Sequence, residues 1–340
     1  EMDLAASIQA VTEEVVIKLA RGIRKSTGQT NLCLAGGVAL NCVANGKLLR
    51  ENIFDNIWIQ PAAGDAGGAV GAALAAYYMM LDLPRKVDPT LQDGMKGSYL
   101  GPEFAQSDIE QRLAAAGAKF TNHSDEEIIA LTAQALADGK AVGWHQGRME
   151  FGPRSLGGRS ILADARSPSA QKLLNLKVKY RESFRPFAPS VLREDVSEWF
   201  DINTDSPYML LVADVNESKR LAMTEEQQKL FGIEKLNVPR SEIPAVTHVD
   251  YSARVQTIHK QTNPKYHALV SKFKELTGCP VVVNTSFNVR GEPIVCTPED
   301  AFRCLMGTEI EFLVVGNSIM RKEDQDPALK LDYKNAYELD

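Results

Sequence analysis

The spacing of apolar positions predicts alternating helices and strands in the first part of the chain. Apolar residues recur every three or four positions from Leu4 to Ile23, which predicts an amphipathic helix that ends near Gly28. Two repeats of strand, glycine turn and helix follow, with the strands expected at 31–36 and 57–61. This alternation predicts an α/β fold, in which glycine turns at strand ends are common ligand positions.

The pattern changes near residue 95. A stretch at 81–104 carries proline and glycine without a sustained period and is typical of a linker. Helices are expected beyond it near 105–117, 125–138, 168–176, 264–277 and 298–306, alternating with strands such as KAVGWHQ, YMLLVADV, PVVVNTS and EFLVVGN. The 340 residues therefore predict two α/β domains, at 1–95 and 96–340, the second with a twisted mixed sheet.

Composition and charge narrow the function classes. The chain is 44% apolar and its net charge is −6, which indicates a globular protein and neither a general nucleic-acid binder nor a membrane-surface protein. The uncharged stretch from Ala66 to Leu81 is too short to span a membrane and is expected to be a packed helix. Five cysteines without zinc spacing or a signal peptide favour the cytoplasm. Because Glu1 lies inside a helical pattern, we expect a cut through a longer protein.

The glycine turns are candidate phosphate sites. Backbone N–H groups at a helix start carry partial positive charge, and glycine lets a phosphate approach them. The glycines concerned are Gly36, Gly37, Gly64, Gly67 and Gly68. Alternatively, these glycines are present because small residues let helices pack closely on strands. Asp65 lies between these glycines, where a carboxylate either ligates a metal or caps the helix.

A basic segment stands out in this acidic chain. From Gly147 to Arg193 there are ten basic and three acidic residues, a net charge of +7. Lys177, Lys179 and Arg181 are spaced by two, so on an extended segment they would point to one side. Such a cluster suits a small dense anion such as a phosphate, whereas RNA binding would favour interleaved aromatic residues.

Polar residues follow an apolar strand in the same part of the chain. Asn284, Ser286 and Asn288 are spaced by two after a run of three valines, which is typical of a site or of a turn held by polar side chains. The sequence lacks a nucleophile elbow and an HExxH zinc motif. His145 is expected to be a core or rim histidine rather than a substrate contact. Catalysis would then depend on positioning and electrostatic stabilisation.

Together these segments resemble the O-carbamoyltransferase family of antibiotic and nodulation-factor biosynthesis, the NodU/CmcH/TobZ type. The resemblance runs essentially end to end, through LAGGVALNCVANGKLL, IQPAAGDAGGAVGAAL, YLGPEF, GRMEFGPRSLGGRSILADAR, LNLKVKYRESFRPFAPSVL and NTSFNVRGEPIVCTPEDA. It implies the second half of an actin-like, ASKHA-type ATPase domain followed by a complete YrdC-like domain. A missing amino-terminal half, or a second copy, is therefore an expected partner.

The resemblance also implies ligands and site residues. Family members use carbamoyl phosphate and ATP with Mg²⁺, form carbamoyl-adenylate in the YrdC-like domain, and pass the carbamoyl group to a hydroxyl of a small acceptor in the actin-like domain. The implied carbamoyl phosphate and nucleotide site comprises Arg154, Lys179, Arg181, Arg185, Arg254, Ser286 and Asn288. Gly36, Gly37 and Asn41 resemble the adenosine contacts, and Asp65 resembles the aspartate ligand of an Fe²⁺ site. The histidine pair of that metal site has no counterpart in this sequence.

The predicted function is ATP-dependent O-carbamoyl transfer to a small molecule. One alternative is a threonylcarbamoyl-adenylate synthase acting in tRNA modification, which the acidic charge disfavours. Another is a noncatalytic nucleotide-binding module, which would bind ATP without releasing pyrophosphate. A sugar kinase of the actin-like class would need a complete two-lobed domain.

Overall fold

The computed structural model describes residues 2–91 and 93–333. The ends of the two predicted domains, at Glu1 and at 334–340, lie outside the described residues, and the division at residue 95 stays a prediction. The described helices are α1 Met2–Thr27, α2 Cys42–Arg50, α3 Asp65–Ala75, α4 Gln106–Ala115, α5 Asp125–Ala137, α6 Ala170–Lys177, α7 Val196–Trp199, α8 Glu225–Gln228, α9 Gly232–Leu236, α10 Pro264–Thr277 and α11 Pro298–Gly307.

The strands form two sheets. They are β1 Asn31–Leu34, β2 Asn56–Ile59, β3 Thr121–Asn122, β4 Val142–His145, β5 Arg159–Asp164, β6 Ala188–Leu192, β7 Leu211–Asp214, β8 Ser252–Ile258, β9 Val281–Ser286, β10 Phe312–Val315 and β11 Ser318–Arg321. Strands β1 and β2 pair in parallel. The other nine form one sheet in the order β3-β11-β10-β4-β5-β9-β6-β8-β7. Its β4–β10 and β6–β8 pairs are parallel and the rest antiparallel, so the mixed α/β sheet is confirmed.

Helix boundaries agree with the sequence because the caps are local. Helix α5 starts after a capping box between Ser124 and Glu127, and α11 starts after one between Thr297 and Asp300. Helix α10 ends at Gly278 in the left-handed conformation, which a glycine adopts without strain. These signals lie within four residues of each boundary, so the sequence was enough to predict them.

One helix start was predicted wrongly. The glycine pair opens a 3-10 turn at Gly37–Leu40, and the α-helix begins only at Cys42. Asn41 is the N-cap, because its side-chain oxygen accepts a hydrogen bond from Ala44 N at 3.1 Å. The second glycine turn opens a helix as expected, but the N-cap of α3 is Gly64 and Asp65 is its first residue, so the cap expected of Asp65 is wrong.

The apolar core crosses the predicted domain boundary. Ala39, Ile59 and Ala63 belong to the same buried cluster as the strands of the large sheet. A smaller cluster lies under α1 and contains Ile17, Ala20, Leu32, Leu48 and Phe54. Helix α2 packs on β7, where Asn45 Nδ2 donates to Leu210 O at 3.1 Å. The two predicted domains therefore share packed side chains.

Two helices leave apolar side chains in solvent. On α1 the whole predicted apolar stripe from Leu4 to Ile23 is exposed, with Ile8 at 66%. Helix α3 has no buried residue and continues into a π-helical turn at Ala76–Met80. The expectation of a packed helix over Ala66–Leu81 is therefore wrong for the described residues. Within those residues, no helix combines the length and apolar character needed to cross a membrane.

Candidate active site

Four arginines from three separate segments line one cavity of about 450 Å³. Arg154 lies in the loop before β5, Arg181 and Arg185 lie between α6 and β6, and Arg254 lies on β8. Strand β9 runs between β5 and β6 and contributes Asn284 and Ser286 to the wall. We call this space the arginine cavity. Its size suits a small ligand or part of a nucleotide.

The arginine cavity has a strongly cationic wall. Among the described residues that line it, none is an aspartate or glutamate. In the described structure the guanidinium groups of Arg154 and Arg254 make no hydrogen bond or ion pair, and Arg154 Nε is buried without a partner. Burial and the nearby charge of Arg154 lower the pKa of Arg254 to about 10, and burial lowers the pKa of Arg154. Because desolvated cations without partners are costly, this arrangement favours binding of a multiply charged anion.

The other two arginines are held by protein contacts. Arg181 Nε donates to Asn175 Oδ1 at 2.6 Å, and its guanidinium lies 5.1 Å from the centre of the Phe187 ring. Burial and the neighbouring Arg185 lower the pKa of Arg181 to about 10. Arg185 Nε pairs with Glu182 Oε2 at 2.9 Å. These contacts fix both side chains at the wall and limit the entropy lost when an anion binds.

A second groove of about 260 Å³ adjoins the arginine cavity and shares Arg181, Arg185 and Ser286 with it. Lys179 and Asn288 also line this groove. The structure therefore brings together all seven residues that the sequence assigned to the carbamoyl phosphate and nucleotide site. They surround two neighbouring spaces rather than one.

Lys179 is a buried cation that binds protein oxygens. Its Nζ donates to the backbone oxygens of Ser286 and Asn288, and also to Ser286 Oγ at 3.0 Å and Asn288 Oδ1 at 2.7 Å. Burial, with a further effect of Arg181, lowers the pKa of Lys179 to about 7. In this state the ammonium positions Ser286 and Asn288, and Asn288 is fixed further because its Nδ2 donates to Glu292 O at 2.6 Å.

The predicted extended row of cations is wrong at one position. Lys177 is the last residue of α6 and is exposed, whereas Lys179 is buried in the following turn. Helix α6 ends at Lys177, one residue beyond the expected end at 176, and a turn follows it instead of an extended segment, so Lys177 and Lys179 do not share a side. The polar row on β9 is correct, because Asn284 and Ser286 line the same cavity.

Sequence reasoning assigned no role to several residues of the cavity wall, among them Ser155, His248 and Cys42. Ser155 and Cys42 lie inside segments that carry the family resemblance, but nothing in those segments singled them out. Ser155 is buried directly after Arg154, and His248 Nδ1 lies 3.0 Å from Ser252 Oγ. Cys42 starts α2, so the first part of the chain contributes to the wall. The position of Ser155 after a candidate arginine was the one available signal.

The glycine turns lie next to this wall but already make protein contacts. Gly36 N donates to Ala63 O at 2.9 Å. Gly37, Gly64 and Gly68 are exposed or half-buried, whereas a side chain at Gly67 would collide with Ala62 O. Asn41 Nδ2 donates to Gln9 Oε1 at 2.9 Å in addition to its capping role. Close packing accounts for Gly67, and the adenosine contacts stay a prediction.

Asp65 does not form a metal site with the residues described. It is exposed at the first position of α3. In the described ranges no group of three or more histidine, cysteine, aspartate or glutamate side chains is arranged to hold a metal ion. An iron ion needs several such ligands, so the residues present do not fit the Fe²⁺ that the resemblance implies.

His145 is a buried structural residue, as predicted. Its Nε2 lies 3.0 Å from Cys296 O, and the side chain is 2% exposed. Burial and the nearby Arg159 lower the pKa of His145 to about 3, so the imidazole is neutral at pH 7. It faces the sheet and lines neither the arginine cavity nor the adjoining groove.

Comparison with known proteins decides the family. Residues 133–322 match the family model described as carbamoyltransferase C-terminus, and residues 1–74 match carbamoyltransferase N-terminus. The chain belongs to the carbamoyltransferase family. The four arginines, the adjoining groove and the β9 row lie within the carboxy-terminal match, whereas Cys42 and Val43 of the cavity wall lie within the amino-terminal match.

This member of the carbamoyltransferase family is similar in sequence to several proteins of bacteria. An uncharacterised protein of Synechocystis is 59% identical over 100% of this chain and 55% of its own length. Nodulation protein NolO of Bradyrhizobium diazoefficiens is 42% identical over 94% of this chain and 54% of its own length. A full-length HypF structure in the phosphate- and nucleotide-bound form aligns over 61% of this chain and 22% of that chain, with 18% identity and a TM-score of 0.35. The chain spans about half the length of the curated relatives it matches.

Proposed function

We propose that this chain carries the carbamoyl-activating site of an ATP-dependent O-carbamoyltransferase. The observation that carries the proposal is the arginine cavity, in which Arg154 and Arg254 are partly buried cations without protein partners. Membership of the carbamoyltransferase family supports carbamoyl phosphate as the anion. The adjoining groove, with Lys179, Ser286 and Asn288, is the proposed position for the phosphates of ATP.

The proposed chemistry is electrostatic. Water releases phosphate from carbamoyl phosphate, and the carbamate oxygen then attacks the α-phosphorus of ATP, whose bond to the pyrophosphate oxygen breaks. The products are carbamoyl-adenylate, pyrophosphate and inorganic phosphate. Arg154, Arg181, Arg185 and Arg254 would stabilise the charge on the phosphate oxygens during both steps. ATP would enter as its Mg²⁺ complex, which offsets part of the same charge.

The second half-reaction needs an acceptor. The hydroxyl oxygen of the acceptor attacks the carbamoyl carbon, and the bond from that carbon to the phosphate oxygen of AMP breaks. The products are the carbamate ester of the acceptor and AMP, and the hydroxyl proton is released to water. We propose that residues 96–340 form a YrdC-like activating domain and that residues 1–95 are part of an actin-like domain that receives the acceptor, a small molecule such as a sugar or natural product. The five unbridged cysteines support a reducing compartment such as the cytoplasm.

Calorimetric titration of carbamoyl phosphate tests the binding site. The Arg254→Gln variant should bind carbamoyl phosphate about 10- to 100-fold more weakly, because one charge-assisted contact is lost. Arg193→Gln is the matched control, since Arg193 pairs with Asp205 outside the cavity. Equal weakening in both variants, or none in Arg254→Gln, would contradict the assigned site.

Pyrophosphate release tests the reaction. The chain mixed with ATP and carbamoyl phosphate should release pyrophosphate, and omission of either substrate should stop the release. Carbamoyl-adenylate should be detected by mass spectrometry in the same mixture. Binding of both ligands without pyrophosphate release would favour a noncatalytic nucleotide-binding module instead.

A further inference from the structure

Two buried polar atoms at the wall of the arginine cavity have no partner. Ser155 is 4% exposed and Asn284 is fully buried, and both residues line the cavity. Ser155 Oγ and Asn284 Oδ1 make no hydrogen bond in the described structure. Buried polar atoms are nearly always paired in folded proteins, so two orphans on one cavity wall indicate a ligand that supplies the missing partners.

The orientation of the Asn284 amide is set by a network behind it. Gln256 Nε2 donates to Leu156 O at 2.8 Å, which leaves Gln256 Oε1 as an acceptor. Asn284 Nδ2 donates to that oxygen at 2.8 Å, to Ser190 Oγ at 3.1 Å and to the backbone oxygen of Ser155 at 3.2 Å. The amide nitrogen therefore faces the protein, and Asn284 Oδ1 is the atom of the amide left without a partner.

A carbonyl oxygen only accepts hydrogen bonds, so Asn284 Oδ1 needs an N–H or O–H donor from the ligand. Phosphate oxygens at neutral pH are mainly acceptors and are already matched by the arginines. The donor that Asn284 Oδ1 needs is therefore expected on the part of the ligand that is not the phosphate group. Ser155 Oγ can either donate or accept, and Ser155 adjoins both Arg154 in sequence and Asn284 through its backbone oxygen.

We propose that Asn284 and Ser155 recognise the carbamoyl group through its amide, and so select carbamoyl phosphate over other acyl phosphates. This inference rests on the proposed function. The NH₂ group would donate to Asn284 Oδ1, and the Ser155 hydroxyl would donate to the carbamoyl oxygen. Acetyl phosphate has the same charge and nearly the same shape, but its methyl group cannot donate. Its binding would leave Asn284 Oδ1 buried and unpaired, which is the condition that gives strong discrimination.

Calorimetry with three anions tests the proposal. The wild-type chain should bind carbamoyl phosphate about 10- to 100-fold more tightly than acetyl phosphate, with inorganic phosphate measured as the common anion. In Ser155→Ala the ratio of the affinity for carbamoyl phosphate to that for acetyl phosphate should fall about fivefold or more, because binding of carbamoyl phosphate weakens more than binding of acetyl phosphate. Ser155 Oγ has no protein partner, so its removal should leave the fold intact.

Two further variants keep the test specific. Asn284→Leu, once shown to be folded by circular dichroism, should bind the two acyl phosphates about equally. Thr132→Val is the matched control, because Thr132 Oγ1 is also buried without a partner but lies on α5 outside the cavity, and it should keep the full preference. Titration with a nonhydrolysable ATP analogue tests whether the donor is the adenine amino group instead of the carbamoyl NH₂ group. If the carbamoyl group is the donor, the affinity for the analogue should not change in Ser155→Ala.

The outcomes are distinguishable. Equal binding of carbamoyl and acetyl phosphate by the wild type, or equal weakening of both in Ser155→Ala, would overturn the selectivity proposal and leave the proposed function standing. A selective loss of nucleotide affinity in Ser155→Ala would overturn it too. Failure of the folded wild type to bind any of the three anions would contradict the proposed function itself.

Discussion

Arg154 and Arg254 are charged side chains that the fold keeps partly buried without a carboxylate beside them. In the absence of a ligand, their desolvation and mutual repulsion oppose folding. The same features make them suited to an anion, which would supply the missing charge. Activity and stability therefore oppose each other at these positions.

Replacement of Arg254 by methionine should stabilise the ligand-free chain by about 1 kcal/mol, because an unpaired buried charge is removed and the chain length of the side chain is kept. Added phosphate should raise the Tm of the wild type more than that of Arg254→Met, because the variant binds the anion more weakly. Differential scanning calorimetry measures both effects.

Arg240→Met is the matched control. Arg240 is buried, but its guanidinium donates to four backbone oxygens, those of Lys235, Val238, Thr247 and His248. Its loss should lower the Tm, since these oxygens lose their donor. A lower Tm in Arg254→Met as well would show that Arg254 supports the fold.

His145 makes stability depend on acid pH. The unfolded chain protonates His145 near pH 6.5, whereas the folded chain does so only near its pKa of about 3. The contribution of His145 to the free energy of unfolding is therefore fully present above pH 6.5, and it decreases as the pH falls towards 3. We expect a loss of about 2 kcal/mol between pH 7.5 and pH 5, measured by urea denaturation.

His145→Gln should reduce that loss, because the glutamine amide can still donate to Cys296 O and does not titrate. Half-buried His248 and buried His259 also have pKa values lowered by desolvation, so the difference between the pH dependences of wild type and variant is the relevant quantity. An identical pH dependence in wild type and variant would show that His145 is not the group responsible.

At this scale the sequence predicted the cations and not their surroundings. An excess of arginine and lysine between turns indicates an anion site whatever the fold, and the family resemblance singled out Arg154, Arg181 and Arg185 within that segment. Ser155 is one of two serines in a quoted segment and was assigned no role, because its proposed importance follows only from burial without a partner. Lys177 was grouped wrongly because a period of two cannot distinguish a strand from a turn that follows a helix.

At the scale of elements, the contact between α2 and β7 depends on one glycine. A Cβ atom at Gly46 would lie 2.2 Å from Val212 O, so any larger residue would separate the helix from the strand. The sequence did not indicate this, because the partner strand lies more than 160 residues away. Caps and apolar periods are local signals, whereas the fit between two elements is not.

Gly46→Ala should destabilise the chain by about 1–3 kcal/mol, although alanine favours helix formation, because overpacking outweighs the gain in propensity. It should also weaken carbamoyl phosphate binding, since Cys42 and Val43 of α2 line the arginine cavity. Urea denaturation and calorimetry measure the two effects.

Gly22→Ala is the matched control for this prediction. Gly22 lies inside α1, and a Cβ atom there would meet nothing within 4 Å. The substitution should stabilise the chain by about 0.5–1 kcal/mol through helix propensity alone. If Gly46→Ala behaved like Gly22→Ala, α2 could not be seated on β7 as described.

At the scale of the molecule, the apolar stripe on α1 is the largest departure from what the sequence predicted. Its period gave the helix correctly, from Met2 to Thr27. The period also implied a covered face, yet Ile8, Val15 and Leu19 are exposed and only Ile17 and Ala20 are buried. A sequence pattern shows that a face is apolar, but what covers that face is a property of the assembled protein.

Exposed apolar stripes of this kind promote association. We expect the sedimentation coefficient of this chain to rise with concentration through contacts between α1 helices of two copies. The double variant Ile8→Lys, Val15→Lys should reduce the rise without loss of stability, because both positions are exposed. A sedimentation coefficient that stays at the monomer value for the wild type across the concentration range would contradict this prediction.

The packing of α2 on β7 also links local opening of α2 to the arginine cavity. The wall of the arginine cavity is built from both sides of this contact, with Cys42 and Val43 from α2 and Met209 and Val212 from the opposite side. An anion that bridges the wall therefore opposes local opening of the contact. The backbone amides of α2 should then exchange their hydrogens more slowly when the cavity is filled, so deuterium uptake in this one helix reports occupancy without any turnover.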